Sequence, residues 1–184
     1  IPTVQLDLRA GEQFKPEFRE LNPQCTVPVL ELDSGAAITD VIAICRYLEE
    51  LHPTPPLMGR DAEERALIEC WLRRIEWDGL YALQEAFRNS VPGLERRALP
   101  GPLPLDQIPA LAERGRVRAA HFFAWLDARL ADHAFVCGPG FSIADISAMV
   151  AVDFAARAKL DPPDHLHHLR RWYNEVSSRP SAKA

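Results

Sequence analysis

The spacing of hydrophobic positions changes several times along the chain, and each change predicts an element. Residues 3–8, T-V-Q-L-D-L, alternate with period two and predict a strand. A short helix is expected over 15–21, stopping before Asn22-Pro23 because a residue preceding proline is pushed out of the helical region. Residues 27–32 and 36–39 flank Asp33-Ser34-Gly35, whose glycine suits the left-handed position of a three-residue hairpin loop. Thr39 is then expected to N-cap a helix from about Asp40 to Leu51, with Ile42, Ile44, Cys45 and Leu48 on its apolar face.

"HPTPPLMG", residues 52–59, supports neither helix nor sheet and reads as a connection between two folding units. Beyond it the period is helical. A long helix is expected from Asp61-x-x-Glu64, which has capping-box spacing, to about Asn89, followed by a loop over 91–109 that holds five prolines. Further helices are expected at about 107–132, 143–158 and 165–178. On the long helix Ile68, Trp71, Leu72, Ile75, Leu83 and Ala86 form one stripe, and Ala66, Cys70, Trp77 and Tyr81 fall nearly opposite. One stripe must be core; the other needs a second subunit, the sheet domain, the long loop or a hydrophobic substrate to cover it. The fold class is therefore α+β in two domains: residues 1–52, a linker over 53–60, and an all-helical domain over 61–184. One strand, one helix and a hairpin make a thin sheet, and the chain does not begin with Met. It reads as lacking an upstream strand and helix, roughly 20–25 residues at ordinary element lengths.

Composition narrows the function. With 47% hydrophobic and 26% charged residues in 184, the chain is globular, and its net charge of −5 argues against a nucleic-acid or lipid-headgroup surface. No apolar run approaches the roughly 20 residues that span a bilayer, and the start carries no secretion signal, which implies a cytoplasmic protein. Cys25, Cys45, Cys70 and Cys137 lack the spacing of a zinc site or a disulfide framework and read as reduced thiols. His165 and His168 share a helix face with no thiolate or carboxylate at ligand spacing, so no metal is expected there. In "FSIADI", residues 141–146, Ser142 and Asp145 have capping-box spacing with Phe141 and Ile146 as a staple, a structural rather than a catalytic pairing.

Pro28 is the anomaly. It stands near the head of "TVPVLEL", residues 26–32, where a sheet wants a backbone donor, and proline inside sheets is confined to edges, first positions and bulges. A trans proline would simply open an edge strand. A cis Val27–Pro28 bond would turn the chain and leave the N–H and C=O of Val27 facing outward, free to pair with a ligand.

Residues 22–50, "NPQCTVPVLELDSGAAITDVIAICRYLEE", resemble the glutathione-binding half of the cytosolic-type glutathione transferases. The shared pattern is an Asn-Pro, a Val-Pro with a cis bond, a strand, an acidic-Gly turn, an acidic-Ser pair and a helix ending in Tyr-Leu; only the serine differs. The likeness continues through the proline-rich linker, the helical half and "FSIADI", covering nearly the whole chain. It implies a thioredoxin-like N-terminal domain, incomplete at its start, and an all-helical second domain. It also implies that the Val27 backbone beside Pro28 grips the cysteinyl part of glutathione by β-augmentation. The amides opening the helix at Asp40 and Val41 would hold the γ-glutamyl carboxylate, with Asp40 facing the ammonium group. Where the family has Glu-Ser this chain has Asp40-Val41, and a lost hydroxyl bond to a charged carboxylate costs about 1.5–3 kcal/mol unless Thr39 or a water replaces it. The family's long helix lines the electrophile cleft and the dimer interface, which makes Cys70, Trp77 and Tyr81 candidates for either. The implied activity is conjugation of the glutathione thiolate to small hydrophobic electrophiles by a homodimer. A glutathione-dependent isomerase or reductase, and a non-catalytic binding relative, are the alternatives. The family's thiol-activating Ser, Tyr or Cys lies near the end of its first strand, in the segment expected to be absent, and neither Cys25 nor Ser34 stands in that position; no catalytic residue is assigned.

Overall fold

The computed structural model describes residues 2–183. Two compact units emerge: the chain through Pro53 together with Glu95–Asp106, and Thr54–Leu94 together with the chain from Gln107 onward.

In the first unit, helix α1 (Pro16–Leu21) begins on a proline, whose missing N–H is no loss in a first turn. It ends at Asn22, which is extended (φ −140°, ψ 97°) ahead of Pro23. Strands β1 (Leu30–Glu31) and β2 (Ala37–Ile38) form an antiparallel hairpin with Leu30 opposite Ile38 and Glu31 opposite Ala37. Gly35 takes φ 82° in the loop, and the Leu32 N–H closes it on the Ala36 carbonyl at 2.9 Å. Helix α2 (Val41–Leu51) follows with Ile42 as its buried anchor. Its N-cap is Asp40, not Thr39: the Asp40 carboxylate accepts from the Ala43 N–H at 2.9 Å. Residues 3–8 form no strand. They make no ladder to the hairpin, Val4 is 90% exposed, and Asp7 instead folds the chain by accepting from the amides of Arg9 and Ala10 at 2.8 and 3.0 Å. Alternation is a strand signal only where a neighbouring strand takes up the backbone groups. The proline-rich excursion returns to this unit, bridging Arg97 to Leu105 and placing the Arg97 guanidinium 5.7 Å from the Phe14 ring centre.

The second unit is helical: α3 (Ala62–Arg74), a π-helical stretch (Ile75–Leu80), α4 (Tyr81–Arg88), α5 (Pro109–Ala131), α6 (Ile143–Arg157) and α7 (His167–Ser177). The expected uninterrupted helix over 61–89 is thus widened in its middle. Gly79 faces the Phe122 ring there, and a Cβ at that position would sit 2.7 Å from it. The carbonyl of Trp77, within the widened turn, accepts from the Arg118 guanidinium on α5. At the helix start the Asp61 carboxylate accepts from the Glu64 N–H at 2.9 Å, but Glu64 reaches past Asp61 to the Arg60 N–H at 2.7 Å, so the expected box is offset by one residue. Ile68, Leu72, Ile75, Leu83 and Ala86 are buried, and Ile75 and Leu83 join Phe122, Phe123, Leu126 and Trp172 in one core. Each large side chain contributes about 1.5–3 kcal/mol on leaving water. Helices α4 and α5 approach so closely at Gly115 that a Cβ would lie 2.6 Å from the Ala82 carbonyl oxygen and the Ala86 nitrogen.

Asp145 is fully buried and ties three segments together. Its Oδ1 accepts from the Val136 N–H at 2.9 Å and the Trp172 indole N–H at 2.8 Å, and its Oδ2 from the Ser142 N–H at 3.0 Å and hydroxyl at 3.2 Å. The Ser142 capping box closes in both directions. Phe141, the residue before it, packs edge-on to Phe135 at 5.8 Å and lies under the Arg179 guanidinium at 3.8 Å.

Asp145→Ala would strand three buried N–H donors, each costing about 1–3 kcal/mol, and is expected to lower stability by at least about 3 kcal/mol in urea unfolding. Gly115→Ala is expected to cost about 1–2 kcal/mol in the same measurement, because wedging apart two helices outweighs alanine's better helix propensity.

Candidate functional site

One buried side chain shapes the loop that presents Pro28. Asn22 is 1% exposed; its amide donates to the Thr26 carbonyl at 2.8 Å and the Thr26 hydroxyl at 3.1 Å, while its oxygen accepts from the Gln24 N–H at 3.0 Å. Buried Cys25 takes the left-handed conformation (φ 54°), and its N–H bonds the Asn22 carbonyl at 2.9 Å. The loop delivers a cis Val27–Pro28 peptide. Val27 is 43% exposed, and its N–H and C=O find no hydrogen-bond partner among the described residues.

The hairpin register puts a second feature beside this one. With Leu30 opposite Ile38, Val27–Pro28 and the start of α2 fall at the same end of the hairpin. Thr39, Asp40 and Val41 are all exposed there, Val41 to 48%. The first amides of an α-helix have no carbonyl of their own helix to bond, and they sit at the positive end of its dipole. Asp40 spends one oxygen on the Ala43 amide. The arrangement offers an unpaired strand-like backbone pair to an extended peptide, and an amide cluster with a neighbouring carboxylate to a charged amino-acid end. One helical turn inward, burial chiefly, then the charges of Asp40 and Glu49, push the Cys45 thiol up and keep it protonated.

Of the residues expected on the long helix, Trp77 and Tyr81 come together, edge to face at 5.7 Å, and are 67% and 49% exposed. Cys70 lies exposed on the same helix two turns earlier. The opposing residue Trp71 is half-buried, stacked on Trp125 at 5.4 Å with the Arg129 guanidinium 4.4 Å from its ring centre. Sequence reasoning passed over Asn22 as a positioning residue, although Asn-Pro ahead of Val-Pro is a visible signal. It also passed over Gln13, whose Oε1 is buried without a hydrogen-bond partner; no periodicity marks that residue. His165 and His168 are exposed, and the described residues contain no group of three or more His, Cys, Asp or Glu placed to hold a metal ion. None of their helices is long and apolar enough to cross a membrane.

A hairpin that ends in a free backbone pair beside a helix start, with a helical unit following, defines a class that comparison with known proteins identifies. Residues 2–51 match the glutathione S-transferase N-terminal domain and residues 99–180 the glutathione S-transferase C-terminal domain. The chain belongs to the glutathione S-transferase family, with a thioredoxin-like N-terminal domain and a helical C-terminal domain. It is 37% identical over 181 residues to glutathione S-transferase 2 of Saccharomyces cerevisiae, covering 98% of this chain and 75% of that one. The crystal structure of Gtt2 from Saccharomyces cerevisiae superposes with a TM-score of 0.88 at 36% identity, covering 98% of this chain and 84% of that chain. A shorter stretch of 68 residues is 41% identical to maleylacetoacetate isomerase of Mus musculus, covering 37% of this chain and 31% of that protein.

Burial raises the Cys137 thiol to about 11, a rise that the Ser142 hydroxyl bond and Arg129 only partly oppose. Cys70, the exposed thiol, is expected to be alkylated by iodoacetamide ahead of Cys137 at pH 8. Cys137 should gain about tenfold in rate per pH unit up to about 11, readable by peptide mass spectrometry after timed labelling.

Proposed function

We propose that this protein is a glutathione transferase that joins the glutathione thiolate to small hydrophobic electrophiles. The observation that carries the reading is the unpaired backbone of Val27 at the hairpin end shared with the start of α2. Glutathione is an extended peptide with a thiol in its middle and a free amino acid at its γ-glutamyl end. Val27 and Pro28 pair with its cysteinyl backbone; the opening amides of α2, with the Thr39 hydroxyl, hold the γ-glutamyl carboxylate; the free oxygen of Asp40 takes the ammonium group. The thiolate attacks the electrophilic carbon, its electron pair forms the carbon–sulfur bond, and the leaving group departs as an anion. The exposed stripe of Cys70, Trp77 and Tyr81 supplies apolar surface for the electrophile or for the second subunit of a homodimer. Four free cysteines suit a cytoplasmic protein.

Identity to maleylacetoacetate isomerase over 68 residues favours a second reading, in which glutathione serves a carbon–carbon double-bond isomerisation and is regenerated.

Retention on immobilised glutathione together with conjugation of 1-chloro-2,4-dinitrobenzene, followed as thioether absorbance, is the expected result. Retention without conjugation would favour the isomerase reading, and loss of both would remove each of them. Val41→Ser restores a hydroxyl at the helix start and is expected to tighten glutathione binding by about tenfold in calorimetric titration, the lower end of the value of a hydrogen bond to a charged group.

A further inference from the structure

The second unit carries a cavity of about 290 Å³ remote in sequence from the residues assigned to glutathione. It is walled by the last turns of α6, the Asp161-Pro162-Pro163 connection and the first turns of α7. Its floor is apolar, built from Val152, Pro162, Leu166 and Leu169, and its polar groups are Asp153, Asp161, Arg170 and Tyr173. Their pairing leaves a charge excess. The Tyr173 hydroxyl donates to the Asp153 carboxylate, a neutral partner that fixes the carboxylate in place without cancelling its charge. The Arg170 guanidinium is already paired with Asp164, on the outer side of the same connection. Asp161 has neither ion pair nor hydrogen bond among the described residues. Two lining carboxylates, Asp153 and Asp161, thus share the cavity with one guanidinium that Asp164 already engages; Asp164, Arg157 and Lys159 all lie outside the lining.

We propose that this cavity binds a small amphipathic cation, an amine carried on an apolar body, with the ammonium group between Asp153 and Asp161 and the apolar part against Leu166 and Leu169. The chemistry follows from the walls. An apolar floor takes hydrocarbon out of water, an unbalanced pair of carboxylates selects a positive charge over a neutral or negative one, and a volume near the lower limit of ligand pockets restricts the guest to fragment size. Tyr173 lines the same space and its hydroxyl holds Asp153, so the charge is positioned rather than mobile.

Calorimetric titration of the purified protein with 2-phenylethylamine tests this, with 2-phenylethanol and 3-phenylpropionate as the neutral and anionic counterparts. The amine is expected to bind saturably at one site, the alcohol at least about five-fold more weakly, the gap of one partly exposed charge pair, and the carboxylate not measurably. Asp161→Asn, at an exposed side chain without structural bonds, and Asp153→Asn, which keeps an acceptor for Tyr173, are each expected to weaken amine binding by about five-fold. Glutathione retention should be unchanged in both variants. Absence of saturable amine binding, equal binding of amine and alcohol, or amine binding unaltered in Asp161→Asn would overturn the proposal, whatever the outcome with glutathione.

Discussion

The helical unit depends on one buried carboxylate. Asp145 receives four hydrogen bonds from α6, from the connection before it and from α7, and no other buried acid among the described residues is so placed. Removing a carboxylate from water is costly, and here that cost raises its pKa despite the four donors. Those donors would themselves be orphaned without it. Val136 and Trp172 are fully buried, so their N–H groups have no route to solvent. The group is therefore a specifier of arrangement: it permits one placement of the 133–141 connection against the α6 N-terminus and one orientation of the Trp172 indole. The aromatic core then packs around a geometry already chosen.

In the first unit the same role falls to Asn22, a neutral side chain. It bonds the Gln24 N–H and the Thr26 carbonyl from within, and the next residue, Val27, has polar groups that nothing in the described chain uses. A short hairpin of two-residue strands brings Val27–Pro28 and the α2 start to one end. Fold and candidate site are here the same local feature, since the bonds of Asn22 end at the Thr26 carbonyl and the unpaired groups of Val27 follow directly.

Much of this was legible in the residues. Gly35 announced the hairpin, Pro23 the end of α1, and Ser142-x-x-Asp145 the α6 box, because in each case a local steric or hydrogen-bonding rule decides the outcome. The helical period located α5, α6 and α7 to within about two residues. The remaining features depend on contacts across the fold. The alternation of residues 3–8 says nothing about whether another strand is there to pair with it. The π-helical widening at 75–80 answers to Phe122 and Arg118, which lie some forty residues further along. Asp40 displaced Thr39 as the cap because the chain stays extended through Asp40, whose carboxylate then takes the Ala43 N–H. The full set of bonds to Asp145 could not be seen either, since Trp172 and Val136 reach it only after three segments have packed.

The chain passes between its two units three times, after Pro53, after Leu94 and after Asp106. On a ribosome, where segments emerge in order, the earlier unit stays unfinished until the Arg97–Leu105 bridge has been translated. By then α3 and α4 are already exposed and waiting for α5. The two halves consequently mature as interleaved rather than successive events, and a nick in the proline-rich excursion would deprive the first unit of its last piece while leaving every helix of the second intact.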